Sequence, residues 1–327
     1  MRRFESFLAE PLGQYLAYRR DSLGYRNDPT RFYLLAFDQY LKNKGPRRRR
    51  LFARFFLEFR AQMHKSKAPH TVNQMLSTLR GLFTFLIRQG LYEHNPLQDV
   101  PALPGRWFIP FVFTEQQIDE LLAALSKRLR KCPEEFVTDL ALYTALVLLA
   151  RCGLRISEPV RLLSSHYRKE EKTLYIEKTK FKKDRLIPLP ETAWQELENY
   201  LAVRKACLRE EENPYLLAGK AQRGLTREQV YGLFRTGVKE IGLSQPRRQH
   251  GNMTFGPPTP HSLRHAFAIN TLKRIRQAAR DPQHALPVLA AYMGHRKYQY
   301  TAAYLKVTEP NDVQGLVEFA KSRLDLV

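Results

Sequence analysis

The 327-residue chain is poor in acidic residues, with 32 Asp and Glu against 54 Lys and Arg, which gives a net charge of +22. Such an imbalance says little about fold and much about partners. It favours nucleic acid as the partner, with an anionic membrane surface as the alternative. Residues 1–100 already carry 18 Lys and Arg against 8 Asp and Glu, so the excess is spread along the chain. The charge therefore indicates two basic bodies rather than a neutral domain with a basic tail.

Cysteines, long apolar runs and metal-ligand clusters are also scarce. Cys132, Cys152 and Cys207 show neither a CxxC pair nor ligand spacing, so we expect reduced thiols packed in the core of a cytoplasmic protein. No Asp and Glu cluster has metal spacing, and we expect neither a metal nor another cofactor. The longest apolar run, Leu140 to Ala150, is too short to cross a bilayer, and the first residues hold no apolar signal core. We therefore expect no membrane partner.

Apolar side chains at helical spacing predict an all-helical domain over residues 1–94. Helices are expected after Asp28-Pro29 and from Thr71 to a stop at Gly90. The phenylalanines of this domain fall on one helix face, and we interpret them as core rather than as a platform for stacking bases. Residues 95–112 contain four prolines and little periodicity, which predicts a linker.

Residues 113–327 predict a second, α+β domain. Its core is expected to be the apolar helix over Asp139–Cys152, which ends at Gly153 and delivers Arg155. Two short strands, Thr173–Ile176 and Leu186–Leu189, predict a hairpin with a lysine-rich tip. Residues 243–258 predict a basic loop rich in glycine and proline. Further helices are predicted from Thr114 and Pro260 and over residues 191–206, 226–242, 285–293 and 311–324.

Four pieces of the second domain carry residue types suited to phosphate chemistry. In chain order they are Gly153-Leu154-Arg155-Ile156-Ser157-Glu158, then Lys180 in the hairpin, then Pro260-His261-Ser262-Leu263-Arg264-His265, then Gly294-His295 followed by Tyr304. In this order and at these spacings the set resembles the tyrosine recombinase (phage integrase) family. The resemblance covers most of the chain and is more specific than any single motif.

The resemblance implies a mainly α fold with a small β-sheet, in which a helical core-binding domain precedes an α+β catalytic domain. It implies a site-specific DNA recombinase that cuts and rejoins DNA through a 3′-phosphotyrosyl intermediate. The resemblance implies that Tyr304 is the nucleophile and that Arg155 and Arg264 bind the non-bridging phosphate oxygens. His261 would act on the tyrosine proton or add a further hydrogen bond, and His295 would donate a hydrogen bond to a phosphate oxygen. Lys180 would be the general acid. Glu158 is interpreted as a structural partner.

Several alternatives remain open at this stage. Lys178, Lys182 and Lys183 compete with Lys180, and Tyr300 and Tyr298 compete with Tyr304, which the nine-residue step from His295 favours. Phosphate contacts are predicted for a second set of residues, although a solvated charge run is the ordinary alternative. These DNA-binding candidates are Arg47, Arg48, Arg49, Arg50, Lys182 and Lys183.

Partners implied by the family are double-stranded DNA with specific sites, further copies of the chain up to a tetramer, and accessory DNA-binding proteins. The C-terminal helix is expected either to dock on a neighbouring subunit or to pack on its own chain. Two other functions compete: a catalytically silent architectural or regulatory DNA-binding protein, and a type IB-like topoisomerase.

Overall fold

A computed structural model describes residues 3–24, 29–44, 51–177, 184–207, 213–218, 223–295, 298–307 and 312–324. The described chain is mainly helical with two small sheets, so the predicted fold class is confirmed. It divides into two compact units, Met1–Arg106 and Trp107–Val327. None of the described helices combines the length and hydropathy needed to cross a membrane.

The described residues of the first unit form four helices around an aromatic core. Phe37, Phe56, Phe59 and Phe83 are fully buried and contact one another edge-on or stacked. For these four phenylalanines the interpretation as core holds, whereas it is wrong for Phe32 and Phe52, which are 59% and 64% exposed. The helices are α1 (Ala9–Asp21), α2 (Thr30–Lys44), α3 (Ala53–His64) and α4 (Pro69–Arg88). The predicted cap Asp28 lies outside the described residues.

The boundary between the units falls inside the predicted linker 95–112. Leu97 and Val100 are buried in the core of the first unit. α4 holds this segment by side-chain hydrogen bonds, because Arg80 donates to the carbonyls of Leu97 and Val100 and Asn73 exchanges two hydrogen bonds with Leu103. Pro96, Pro101 and Pro104 thus exclude a helix from this segment, yet its backbone remains bound to the first unit.

The second unit is built around one helix, α6 (Pro133–Cys152), which is buried over most of its described surface. It contacts α5 (Glu115–Ser126), α7 (Glu191–Cys207), α8 (Arg227–Glu240) and α9 (Pro260–Gln277). A helix that is apolar all round must lie at the centre of its domain, as the sequence predicts. Thr114 caps α5 in a reciprocal capping box with Gln117. Of the cysteines only Cys152 is buried; Cys132 and Cys207 are exposed, so the prediction was wrong for these two.

Two three-stranded sheets flank the helices. The predicted hairpin pairs β3 (Thr173–Ile176) with β4 (Arg185–Pro188), and β2 (Tyr167–Arg168) joins on the other side of β3. The second sheet corrects the prediction of a loop over 243–258. There β5 (Arg248–His250) and β6 (Met253–Phe255) form a hairpin, and β6 pairs in parallel with β1 (Trp107–Ile109). Backbone hydrogen bonds join β6 to the distant strand β1, and the exposed polar residues of β5 show no apolar alternation.

The remaining elements lie in the last fifth of the chain. Helix α10 (Pro282–Met293) ends at Gly294, and α11 (Gln299–Ala302) runs into a 3-10 turn, Ala303–Lys306. Helix α12 (Val313–Leu324) contacts this 3-10 turn and β1, and buries Leu316, Phe319 and Ala320. The C-terminal helix therefore packs on its own chain.

Candidate active site

Five of the six predicted catalytic residues lie at or near helix ends of the second unit. Arg155 follows α6, His261 and Arg264 lie near the start of α9, His295 follows α10, and Tyr304 lies in the 3-10 turn after α11. Outside the described residues lie Lys180 and its rivals Lys178, Lys182 and Lys183, together with Arg47, Arg48, Arg49 and Arg50.

Helix α6 ends at Gly153, two residues before Arg155, and no other residue could replace this glycine without strain. Gly153 has φ +59°, a left-handed conformation that side chains disfavour. A Cβ atom there would also lie 2.4 Å from the Phe267 ring of α9. The tight approach of α9 to the end of α6 thus depends on Gly153, and it brings Arg155 towards the arginine of α9.

Arg155 and Arg264 donate to the same turn of backbone. Arg264 Nη1 donates to the carbonyl of Gly153 at 2.6 Å, and its Nη2 donates to the carbonyl of Met293. Arg155 Nη2 donates to the carbonyl of Gly294, the next residue, at 2.8 Å. The two guanidinium groups therefore tie the end of α10 to the end of α6.

A single carboxylate links two of the arginines. Glu158 accepts from Arg155 Nη1 at 3.0 Å and from Arg185 at 2.9 and 3.1 Å. Arg185 Nε also donates to the carbonyl of Tyr292 at 2.7 Å. Burial opposes ionisation of Glu158, but the hydrogen bonds and charges of Arg185 and Arg155 outweigh it and hold its pKa below the usual range. Glu158 is thus a structural anion, as interpreted from the sequence.

The cluster retains an excess of positive charge around Arg264, which is only 1% exposed. Burial and the nearby charge of Arg155 lower the pKa of Arg264 to about 9. Glu158 and a Tyr304 phenolate act in the opposite direction, which places both within electrostatic reach. Because the pKa remains above 7, Arg264 is a cation at neutral pH. A buried cation in this position is stabilised when an anion binds beside it.

The Tyr304 side chain is packed inside the site and is 2% exposed. Its hydroxyl lies 2.8 Å from Nδ1 of His265, which is itself 4% exposed. The ring of Tyr304 stacks on Phe319 of α12, with the centroids 5.0 Å apart. The alternative nucleophiles are less buried than Tyr304, because Tyr298 is 46% exposed and Tyr300 is half-buried.

The two predicted histidines lie near this phenol, His295 in ring contact with it and His261 in contact with the ring of His265. His295 stacks nearly parallel to Tyr304, with the centroids 6.4 Å apart, and its Nδ1 lies 2.8 Å from Thr301 Oγ1. His261 is exposed, and its ring centroid lies 4.6 Å from that of His265.

The sequence prediction left out three residues that the structure brings into the site: His265, Thr301 and Arg185. His265 stands four residues after His261, a spacing that places two side chains on one helix face and could have revealed it. Thr301 and Arg185 gave no such signal, since their partners are 6 and 27 residues away along the chain.

A second basic surface lies on α8. Arg227, Tyr231, Arg235 and Lys239 follow at four-residue spacing and are all exposed; we call them the α8 basic face. Beside it lies an open groove of about 500 Å³ between α8, Ser244–Gln245 and Pro257–Pro258. A cationic helix face beside an open groove is suited to a polyanion.

Metal ligands are not grouped at this site. In the parts of the chain that the structure describes, no three His, Cys, Asp or Glu side chains are placed to hold a metal ion.

Known proteins resemble this chain over most of its length. The model of the phage integrase family matches residues 112–310. The chain is 30% identical over 316 residues to protein y4rE of Sinorhizobium fredii, described as an integrase/recombinase, with 93% of each chain covered. It is 31% identical over 253 residues to the tyrosine recombinase XerD of Xanthomonas campestris, covering 73% of this chain and 68% of that one.

Solved structures share the fold at lower identity. The recombinase XerH matches with a TM-score of 0.64 and 18% identity over 90% of this chain and 80% of that one. A lambda integrase fragment matches with a TM-score of 0.59 and 18% identity, covering 88% of this chain and 94% of that one.

Proposed function

The chain belongs to the phage integrase family and is a site-specific tyrosine recombinase, and we propose that Tyr304 is the nucleophile with which it cuts and rejoins DNA. The observation that supports this assignment is the position of the Tyr304 phenol beside the buried cationic cluster of Arg264 and Arg155. A phenol can attack a phosphodiester and hold it covalently, and guanidinium groups stabilise the negative charge that develops on the phosphorus oxygens.

In the proposed reaction the phenol oxygen of Tyr304 forms a bond to phosphorus and the bond from phosphorus to the 5′ oxygen breaks. The products are a 3′-phosphotyrosyl enzyme and a free 5′ hydroxyl. Arg155 and Arg264 bind the non-bridging oxygens in place of the backbone carbonyls that they now hold, and His295 donates to one of the same oxygens. Lys180, outside the described residues, is proposed as the acid that protonates the 5′ oxygen.

The energy of the broken ester is conserved in the phosphotyrosyl bond, so a 5′ hydroxyl of the same or another strand can reverse the step. No metal ion or high-energy cofactor is needed for this balance. Exchange between two duplexes requires four such nucleophiles, and a tetramer on DNA is therefore proposed. Its support includes solved structures of similar fold described as a lambda integrase tetramer bound to a Holliday junction and XerH bound to difH.

Duplex DNA is gripped, in this proposal, by the α8 basic face in addition to the predicted arginines 47–50 and Lys182 and Lys183. The large positive charge supports binding that weakens with salt.

A cytoplasmic location, as proposed from the composition, is consistent with free thiols that lack paired spacing. A structural neighbour described as the integrase of the transposon Tn1549 supports a role on a mobile element.

A covalent-adduct assay tests the assignment. Wild type, Tyr304→Phe and Tyr300→Phe are incubated with a plasmid carrying the DNA that flanks the gene, with EDTA present. After denaturation and nuclease digestion, mass spectrometry identifies the tyrosine that carries a nucleotide. We expect the adduct in wild type and in Tyr300→Phe, and none in Tyr304→Phe.

The alternatives give different results in the same assay. An adduct that moves with Tyr300 would show that the wrong phenol was chosen. Salt-sensitive binding without any adduct would support the architectural or regulatory function. Relaxation of supercoiled plasmid by the monomer, without exchange between sites, would support the topoisomerase.

A further inference from the structure

We propose that the β5–β6 hairpin is a DNA-binding element, in which Arg247 and Arg248 bind phosphates of the duplex backbone close to the site of cleavage. The inference rests on the proposed function, in which the chain cuts and rejoins duplex DNA. It adds an element that neither the α8 basic face nor the predicted arginines and lysines include. Its basis is two exposed guanidinium groups, without carboxylate partners in the described chain, on a hairpin whose backbone is already ordered.

The positive charge of this hairpin is not balanced within the protein. Between Glu240 and Asp281 the sequence has seven Lys and Arg and no Asp or Glu. Arg247 and Arg248 are both exposed, and neither forms an ion pair with a carboxylate of the described residues. Arg274, in the same stretch of sequence, is by contrast paired with Glu115 at 2.8 Å. Exposed cations that lack an internal partner are suited to the phosphates of DNA.

The hairpin is held in place by backbone hydrogen bonds to β1. Strand β6 pairs with β1 in parallel, and two further bonds of 2.9 Å extend this pairing at its ends. In these the N–H of Trp107 donates to the carbonyl of Asn252, and the N–H of Gly256 donates to the carbonyl of Ile109. Gly251 turns the chain between β5 and β6 with φ +57°. Little backbone freedom therefore remains to be lost when the hairpin binds DNA.

An aromatic ring lies beneath one of the two arginines. The guanidinium carbon of Arg247 lies 5.6 Å from the centroid of the Phe108 ring, which is 47% exposed. The Phe108 ring in turn lies against Gly256, where a Cβ atom would come within 2.4 Å of it. A guanidinium that stacks on a ring keeps its N–H donors in the guanidinium plane available to phosphate oxygens. We therefore expect Phe108 to orient Arg247 without neutralising its charge.

The hairpin lies between two parts of the second unit that are already proposed to meet DNA. The segments that flank it, Ser244–Gln245 and Pro257–Pro258, line the same groove as the α8 basic face. On the other side His261 follows Pro258 by three residues, a length of chain that spans at most about 11 Å. A duplex that contacts both the groove and His261 therefore passes the base of the hairpin.

Equilibrium binding at several salt concentrations tests the proposal. The full chain carrying Tyr304→Phe, which forms no phosphotyrosyl bond, is titrated into a fluorescein-labelled duplex of arbitrary sequence, and anisotropy gives Kd. Each phosphate contact that is lost should lower the slope of log Kd against log salt concentration by about 1. We expect a fall of about 1 for Arg248→Gln and of about 2 when Arg247→Gln is added. The duplex mapped by the adduct assay should lose affinity by the same factor, because phosphate contacts carry no sequence information.

Two controls separate the proposed contact from a general loss of charge or of folding. Arg274→Gln removes one exposed cation that Glu115 already neutralises, so its slope should equal that of the parent protein. Arg247→Lys with Arg248→Lys keeps both charges and should retain most of the slope. Thermal unfolding of every variant should match the parent, since both arginines are exposed.

Each outcome decides a separate point. A parental slope in the double glutamine variant overturns the hairpin contact, and so does an equal fall in Arg274→Gln, because general charge then accounts for the loss. Weakening confined to the mapped duplex overturns the assignment to phosphates in favour of base contacts. An equal fall in the double lysine variant overturns it as well, because altered structure then explains the loss. Absence of an adduct in wild type contradicts the proposed nucleophile and leaves the slope measurement unaffected.

Discussion

The two units of the chain bury different kinds of side chain. The described residues of the first unit bury an aromatic and aliphatic core, with Asp38 as the single buried charge, held by the backbone N–H groups of Glu5 and Ser6. The second unit buries Arg264, Glu158 and His265 among its apolar residues. An apolar core is stable without special arrangement, whereas each buried charge needs a partner. Buried charge therefore marks where the second unit departs from what folding alone requires.

The location of these charges sharpens the point. They lie where the ends of α6 and α10 meet α9, and none of them interrupts the apolar length of α6. A fold can usually replace buried ion pairs by apolar side chains without losing stability. Arg155 and Arg185 both donate to Glu158, with Arg264 nearby, and we expect this arrangement to serve the proposed reaction rather than stability.

The largest expected effect separates two arginines of α9. Arg264→Met removes the donors to the carbonyls of Gly153 and Met293, so we expect a loss of about 2–4 kcal/mol in the free energy of unfolding. We also expect adduct formation to fall by about 100- to 1,000-fold, the usual consequence of losing one clamp on the transition-state charge. Denaturant titration and the adduct assay measure the two effects.

Arg274→Met provides the control on the same helix. Arg274 pairs with Glu115 at the surface, where ion pairs contribute about 0–1 kcal/mol. Equal losses in the two variants would contradict the distinction between buried and surface arginines.

Phe37→Ala tests the opposite side of the comparison. Phe37 is fully buried among other aromatic rings, so its removal should lower the free energy of unfolding by about 3–5 kcal/mol. Cleavage by the folded fraction at saturating DNA should be unchanged, because this core holds no reacting group. Phe32→Ala, at a residue that is 59% exposed, should change stability by less than about 0.5 kcal/mol. A specific loss of cleavage in Phe37→Ala would show that the first unit does more than bind.

Acid should weaken the second unit through Glu158. Because its pKa is lower in the folded chain than in the unfolded one, its contribution to stability is present above about pH 4.3 and is lost as the pH falls through the folded pKa. Equilibrium unfolding between neutral pH and pH 3 should show this loss in wild type. The Glu158→Gln variant should have a lower free energy of unfolding than wild type at pH 7. Its free energy of unfolding should fall less than that of wild type when the pH is lowered. Glu191→Gln removes an exposed pair with Lys172 and should retain the acid dependence of wild type.

The smallest expected effect concerns the support of His295. Thr301→Val removes its hydrogen bond to His295, worth about 1 kcal/mol, so adduct formation should fall by no more than about tenfold. Thr271→Val removes a hydroxyl that bonds only to the carbonyl of Phe267 within α9, and its rate should equal that of wild type. If both variants cleave at the wild-type rate, Thr301 has no part in positioning His295.

Sequence reasoning succeeded where local pattern and physical cause coincide. Apolar spacing predicted α6, and Gly153 predicted its end, because helix periodicity and the left-handed cap are both local properties. It failed at β5, whose exposed polar side chains carry no alternation, and at β6, which is three residues long and pairs with β1 across more than 140 residues. It also placed residues 97–103 in a linker, because no sequence pattern predicts the hydrogen bonds from the Asn73 and Arg80 side chains to their backbone.

The site divides in the same way. Arg155, His295 and Tyr304 were predicted from motif order and Glu158 was interpreted as a structural partner, but Arg185 and Thr301 were not identified. Arg185 is the first residue of β4, and the sequence around it does not predict its ion pair with Glu158. His265 follows the predicted Arg264 directly in the sequence. Its contact with the Tyr304 hydroxyl depends on the position of the 3-10 turn, which the sequence does not show.

The carbonyls of Met293 and Gly294 have a consequence for the thermodynamics of DNA binding. They already occupy, as oxygen acceptors, the guanidinium donors proposed to meet a phosphate. Docking of DNA then exchanges one oxygen acceptor for another and replaces a neutral dipole by a full negative charge. Little side-chain freedom remains to be lost in that exchange, so the clamp should bind with a small entropic cost. In the proposed reaction the phosphate oxygens thus take the place of these two carbonyls.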